Sequence, residues 1–209
     1  MVAYAVHEQR NEHAERMLGL VDLALHQAGW QKGLLERIAV GVGPGSFTGL
    51  RIAVALGQGL MLGLSRPGVG VGSLAAVAAG LPGDDPRARV VVRDARRSEF
   101  FVAAYDRRGK ELFAPCVVAQ EGAASVVSQL AEGCGLRQGK WVVLGTDLEG
   151  LPCAQNEQTR EPDARAVGRL AFNLQPESSP VVPHYVRGPN LVRPQLPVSP
   201  LVLPREAGS

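Results

Sequence analysis

Gly41-Val42-Gly43-Pro44-Gly45-Ser46-Phe47-Thr48-Gly49-Leu50-Arg51 joins an apolar run, Arg37 to Val42, to a stretch from Leu50 to Leu64 that reads as a helix rich in small residues. Strand, glycine loop, helix is an order that can aim backbone N–H groups at an anion. The spacing does not support the known phosphate loops. A Walker loop needs a Gly-Lys-Ser/Thr ending, and Thr48 has no lysine near it. The dinucleotide fingerprint fails because Ser46 or Thr48 stands where its third glycine belongs. A nucleophile elbow around Ser46 would need glycines where Pro44 and Thr48 stand. The residues themselves predict a tight turn at Gly43 and Gly45, a helix cap from Ser46 or Thr48, and Phe47 packed inward.

Working outward, Ala53, Gly57 and Gly63, with Gly59 between, leave little bulk along one face of the following helix. Each glycine costs about 1 kcal/mol of helix propensity relative to alanine, so close approach of another backbone is the expected compensation. That backbone belongs either to this lobe or to a second polypeptide. Upstream, Asn11 caps an amphipathic helix that runs to Ala28, with Ala14, Met17, Leu18, Val21 and Leu25 at helical spacing and Gly29 as the stop. It is near enough in sequence to serve the same surface. Val2 to Val6 is a short strand-like run before it.

Downstream, a strand at Val69 to Val71 and a helix from Ser73 to Ala79 lead to Gly80-Leu81-Pro82-Gly83-Asp84-Asp85-Pro86, a boundary between lobes. Arg89 to Arg93, Glu99 to Tyr105 and Lys110 to Ala119 read as a three-strand meander. Glu121 to Glu132 is helical, Lys140 to Leu144 a strand, and Asp163 to Leu174 a helix. The fold class is α/β. Its expected division is a first lobe at 1–82, a second at 83–175 and a proline-rich segment at 176–209. Eight of the fifteen prolines fall in that last segment, which predicts an extended or mobile end.

Composition limits the function classes. Lys+Arg 22 against Asp+Glu 20 leaves a net charge of +2, too balanced for a surface that grips nucleic acid throughout, so any such contact is local. Cys116, Cys134 and Cys153 form neither a disulfide framework nor a metal-ligand pattern, and read as reduced cytosolic thiols. No apolar run reaches the roughly 20 residues of a membrane span, and Met1 to Arg10 lacks the pattern of a secretory signal. A cytoplasmic protein is expected.

The segment from Gly41 to Arg51 strongly resembles the signature of the bacterial TsaB family, also called YeaZ, a subunit of the machinery that makes threonylcarbamoyladenosine in tRNA. Further resemblances follow in order: Arg10 to Leu18, Val71-Gly72-Ser73-Leu74, Asp94-Ala95-Arg96-Arg97-Ser98-Glu99, and Pro183-His184-Tyr185-Val186-Arg187. Together they span residues 4 to 188. The resemblance marks Gly43, Pro44, Gly45, Ser46, Phe47, Thr48, Gly49 and Arg51 as the family loop. It implies a two-lobed fold like actin, the heat-shock chaperone ATPases and sugar kinases (the ASKHA fold), with a shortened first lobe that lacks its first two strands.

The resemblance further implies a non-catalytic, dimerising subunit that docks the catalytic paralogue TsaD and joins the ATPase TsaE. tRNA is reached through the complex, ATP is used by the complex, and this chain alone binds no cofactor and no metal. The docking face falls on His13, Met17, Val21, Ala53, Gly57 and Gly63. Paired histidines four apart mark the catalytic paralogue, whereas His7 and His13 are six apart and His26 and His184 stand alone. Arg93, Arg96 and Arg97, with Arg107 and Arg108, gather near the second-lobe hairpin turns as a candidate contact for tRNA phosphates or a partner's acidic patch. With the first two strands missing, a sheet edge is expected near Val2 to Val6, and a start upstream of Met1 is the favoured explanation. The competing readings are an ATP-dependent phosphotransferase or glycoprotease-like peptidase of the same superfamily, and a homodimer built on the same helical face.

Overall fold

The computed structural model describes residues 3–6, 13–133, 141–145 and 161–186 of the 209-residue chain. Valine and small residues alternate in Ile38-Ala39-Val40-Gly41-Val42-Gly43, so this strand, β1, turns its bulk to one face. After the glycine loop, helix α2 (Phe47–Leu64) folds back over that bulky face, where Ile38, Val40, Val42 and Val54 share a core with Val181. α1 (His13–Ala28) packs beside α2. β2 (Gly68–Gly72) runs parallel to β1, with Val40 opposite Gly70 and Gly41 opposite Val71.

The cap of α2 is the one the loop sequence announces. The Ser46 side chain accepts the Gly49 N–H at 3.4 Å, and the Ser46 carbonyl accepts from Leu50 at 2.9 Å. The helix thus starts at Phe47, three residues before the expected Leu50. Ser46→Ala removes a long, exposed cap bond and is expected to destabilise the fold by about 0.5–1 kcal/mol, read as a lowered thermal midpoint.

α3 (Ser73–Ala78) is buried on nearly every side. Ala76 faces a cluster with Val69, Val71, Ala166 and Val167, while Leu74, Val77 and Ala78 face a second cluster with Val91, Phe101 and Leu144. A helix apolar all round needs cover all round, and here two sheets supply it. The second sheet has the order β5-β4-β3-β6, from β3 (Ala88–Asp94), β4 (Glu99–Tyr105), β5 (Glu111–Ala119) and β6 (Trp141–Gly145). β3, β4 and β5 form the expected antiparallel meander, and β6 joins β3 in parallel. Helix α4 (Gln120–Gly133) covers the far face through Ala123, Val127 and Leu130.

Three expectations are corrected. Residues 3–6 form no strand, and among the described residues β1 and β2 pair in a sheet only with each other. Helix α5 (Ala164–Ala171), expected within a second lobe ending at 175, packs on β1, β2 and α3 through Ala166, Val167 and Ala171. Pro176 to Val186 is no loose tail either. Ser179 accepts from Gly70 N–H at 2.8 Å, Val181 accepts from Gln58 Nε2 at 2.8 Å, and His184 N–H donates to Val42 at 2.7 Å. Val186 then reaches the core around Ala95 and Phe101. Proline cannot supply a ladder of donors, but carbonyl acceptors suffice for most of this strap. The rest of the proline-rich segment lies outside the described residues.

Sequence reading passed over Arg89, which is 2% exposed on β3. Its guanidinium donates to the carbonyls of Arg87 at 2.9 Å and Pro82 at 3.2 Å, pinning the boundary loop. Beside it, the Arg87 guanidinium donates to both oxygens of Asp85, at 3.0 and 2.7 Å. These bonds hold the Asp85 carboxyl down at about 2, from an ordinary 3.8. A carboxylate lowered in the folded state adds stability that is complete above the unfolded value and lost as pH falls through the folded one. Thermal midpoints should therefore fall between about pH 4 and pH 2 more steeply in the native chain than in Asp85→Asn.

Candidate docking face and glycine loop

At Gly43 the space around the loop is filled by the chain itself, while Ser46 to Gly49 are exposed. Gly43 has φ +109°, and a Cβ there would lie 2.9 Å from both the His184 carbonyl oxygen and Leu50 Cδ1. Glycine is required for both reasons. The amides of Gly49 and Leu50 are already bonded to Ser46. The loop is therefore a joint between β1, α2 and the strap.

Phe47 does not pack inward as expected. It is 38% exposed, its ring 5.1 Å from that of Tyr185, and the Arg51 guanidinium lies over it at 4.1 Å from the centroid. Arg51 Nε donates to the Tyr185 hydroxyl at 3.3 Å. Two segments far apart in sequence, the loop and Pro183 to Val186, thus meet in one exposed cluster of two aromatic rings and a cation.

The predicted docking residues divide. A Cβ on Gly57 would fall 2.4 Å from Val40 Cγ2 and 3.6 Å from Val181 Cγ1, so this glycine admits the protein's own sheet. Ala53 packs on the same core. Gly63, by contrast, faces open space, as does Gly59. Met17 and Val21 of α1 are half-buried beside α2, and the His13 side chain lies outside the described ones. The outward stripe of α2 is Phe47, Arg51, Ala55, Gly59 and Leu62, all exposed, with Leu62 at 83%. Helical spacing of four and three places these residues on one face.

α2 is thus an apolar helix of eighteen residues of which only Leu50, Val54 and Gly57 are buried. It is long and apolar enough to cross a bilayer by length and composition, but its inner face is committed to β1 and the strap. Leu18 and Leu23 on α1 are exposed as well.

The arginines also divide. Arg93 Nη2 donates to Glu161 at 2.5 Å, so its charge is already met, and Glu161 was not foreseen because 68 residues separate the two. Arg96, Arg97 and Ser98 all have φ between 55° and 65°, a run of left-handed residues without glycine. Asp94 steadies it by accepting the Arg96 N–H at 2.6 Å. Arg107 and Arg108 occupy the β4–β5 turn, at the opposite end of β4. The five do not form one patch.

No group of three or more His, Cys, Asp or Glu side chains among the described residues could hold a metal. Cys116 is half-buried with its thiol pushed up by burial, and Cys134 and Cys153 lie outside the described residues. An open cavity of 720 Å³ lies between Tyr4 and α5, lined also by Arg165, Gly168, Arg169 and Phe172. Arg165 is chelated by Asp163 and stacked on Tyr4 at 4.8 Å, and the lining carries no nucleophile.

Comparison with known proteins agrees with the loop signature. A family profile described as "TsaD: tRNA N6-adenosine threonylcarbamoyltransferase" matches residues 4–138. The tRNA threonylcarbamoyladenosine biosynthesis protein TsaB of Escherichia coli is 34% identical over 148 residues, 68% of this chain and 60% of that protein. The chain therefore spans less than two thirds of that relative. An uncharacterized protein of Mycobacterium tuberculosis is 34% identical over 182 residues, 85% of this chain and 76% of its own length. Among solved structures, a Pseudomonas aeruginosa protein described as similar to peptidase YEAZ superposes with a TM-score of 0.67 at 26% identity, covering 87% of this chain and 92% of that one.

Proposed function

The chain belongs to the TsaB (YeaZ) family, and from that premise we propose that it is a non-catalytic docking subunit of the machinery that makes threonylcarbamoyladenosine in tRNA. It binds the catalytic TsaD subunit through the outward face of α2, with α1 beside it, and joins TsaE in the cytoplasm. tRNA and ATP are handled by the complex, and no cofactor is held by this chain alone.

The observation that carries the reading is the exposed apolar stripe of α2. A helix that leaves Ala55, Gly59 and Leu62 uncovered, with Gly63 giving a second backbone room to approach, has a face suited to another helix. The non-catalytic part is supported by Gly43, whose side-chain space the chain itself occupies, and by histidines whose spacing is not that of the catalytic paralogue. Of the arginines flanking the β3–β4 turn, Arg96, with the Asp94 carboxylate 3.6 Å from its Nη1, and Arg97 are exposed and are that turn's candidate anion contacts.

Mixing the purified chain with TsaD of the same organism and measuring mass by light scattering tests the proposal. A heteromeric species that restores threonylcarbamoyl transfer with TsaE, tRNA and ATP is expected. A chain that stays apart from TsaD, or hydrolyses ATP briskly by itself, overturns it in favour of the phosphotransferase or peptidase reading. Self-association that persists unchanged in the presence of TsaD favours the homodimer.

A further inference from the structure

Arg51 differs from the other cations described above in how it is held. Its guanidinium lies flat on Phe47, its Nε is occupied by the Tyr185 hydroxyl, and both rings are themselves in contact. Among the described residues no carboxylate pairs with it. Arg93, Arg87 and Arg165 each have an acidic partner at hydrogen-bond distance. Among the described residues the two terminal nitrogens of Arg51 have no protein acceptor and face solvent, on a side chain whose freedom is already restricted by stacking.

A guanidinium fixed in this way presents a planar pair of N–H groups, the geometry that receives a carboxylate through two parallel bonds. It has already lost part of the rotamer entropy that binding would otherwise remove. The cluster also continues the exposed stripe of α2 at its N-terminal end, one turn before Ala55. Arginine and tyrosine are residue types enriched at interface hot spots.

We infer that Arg51, clamped between Phe47 and Tyr185, is the specificity-determining contact of the docking face and receives a carboxylate side chain of the partner subunit on its terminal nitrogens. This rests on the docking reading above and adds to it the chemistry of the matching site: an Asp or Glu next to an apolar helix face. The strap contributes Tyr185, so the site is complete only when Pro176 to Val186 is docked.

The test is the dissociation constant of the chain with purified TsaD, followed from low to high salt, for the native chain, Arg51→Gln, Arg51→Lys, Tyr185→Phe and Leu62→Arg. Arg51→Gln should weaken binding by about 30-fold and flatten its salt dependence, because a charge pair is lost. Arg51→Lys keeps the charge without the planar fork and should weaken binding by about tenfold. Tyr185→Phe frees the guanidinium and should cost about threefold. Thermal midpoints of the free variants should match the native chain. If Leu62→Arg breaks the complex while Arg51→Gln binds as the native chain does at every salt concentration, the Arg51 assignment fails and the docking reading stands. If Leu62→Arg binds normally, the docking reading itself fails. Loss of affinity matched by an equal loss of free-chain stability overturns the assignment, because the role is then structural. Binding of inorganic phosphate by the free chain that Arg51→Gln abolishes also overturns it, assigning the guanidinium to a phosphoryl ligand.

Discussion

Gly57→Leu is expected to damage the fold of the free chain by about 3 kcal/mol or more, where an outward-facing glycine would have shown only a binding defect. The first added carbon already falls 2.4 Å from Val40 Cγ2, well inside contact distance, and three more must follow it. Val40 lies on a strand and cannot withdraw without disturbing its pairing with Gly70. The alternative is for α2 to lift away from β1, which exposes Val54 and unseats Val181 of the strap. Against a typical total stability of 5–15 kcal/mol, roughly, this is a large fraction. The thermal midpoint should drop by about 6–12 °C for a chain of this size. Gly59→Leu is the control, since its added atoms meet open space and leucine has the better helix propensity by about 1 kcal/mol. A Gly57→Leu chain that melts like the native one would show that the inner and outer faces of α2 have been assigned the wrong way round.

Leu62→Arg is expected to do the reverse. Leu62 is 83% exposed, so its removal takes almost no packing from the free chain and should change stability by less than about 0.5 kcal/mol. In a complex that covers α2, the same position becomes part of an apolar contact. An unpaired guanidinium buried there should raise the dissociation constant for TsaD by at least about a hundredfold, near 3 kcal/mol. Titration calorimetry of the folded variant reads this directly. The two substitutions separate roles that the sequence places side by side: one glycine face lets the helix lie on its own sheet, the other leaves room for a second polypeptide.

Much of this architecture follows from local patterns. Alternation in Ile38 to Gly43 and in Gly68 to Gly72, turn residues at Asp106 to Lys110, and helical spacing in Met17 to Leu25 report conformations set by neighbours a few residues away. For that reason the strands and helices fall within a few residues of where periodicity puts them. β4 begins at Glu99 and ends at Tyr105 as expected, and Ser46 caps as its position before Phe47 implies.

What the sequence by itself determined, then, is the set of elements and the family loop. Only the tertiary structure decided which face of each element is used. Gly57 and Gly63 look alike in a helix of small residues; one meets Val40 and the other meets nothing. The docked strap is not legible locally, because proline content forbids a ladder but says nothing of single carbonyl acceptors reaching Gly70 and Gln58. Val2 to Val6 carries strand-like residues, yet residues 3–6 remain outside any sheet, because pairing depends on a partner edge that sequence does not announce. Arg51 shows the same limit most plainly: its clamp needs Tyr185, 134 residues away, and a contact across that separation is fixed by packing of the whole chain.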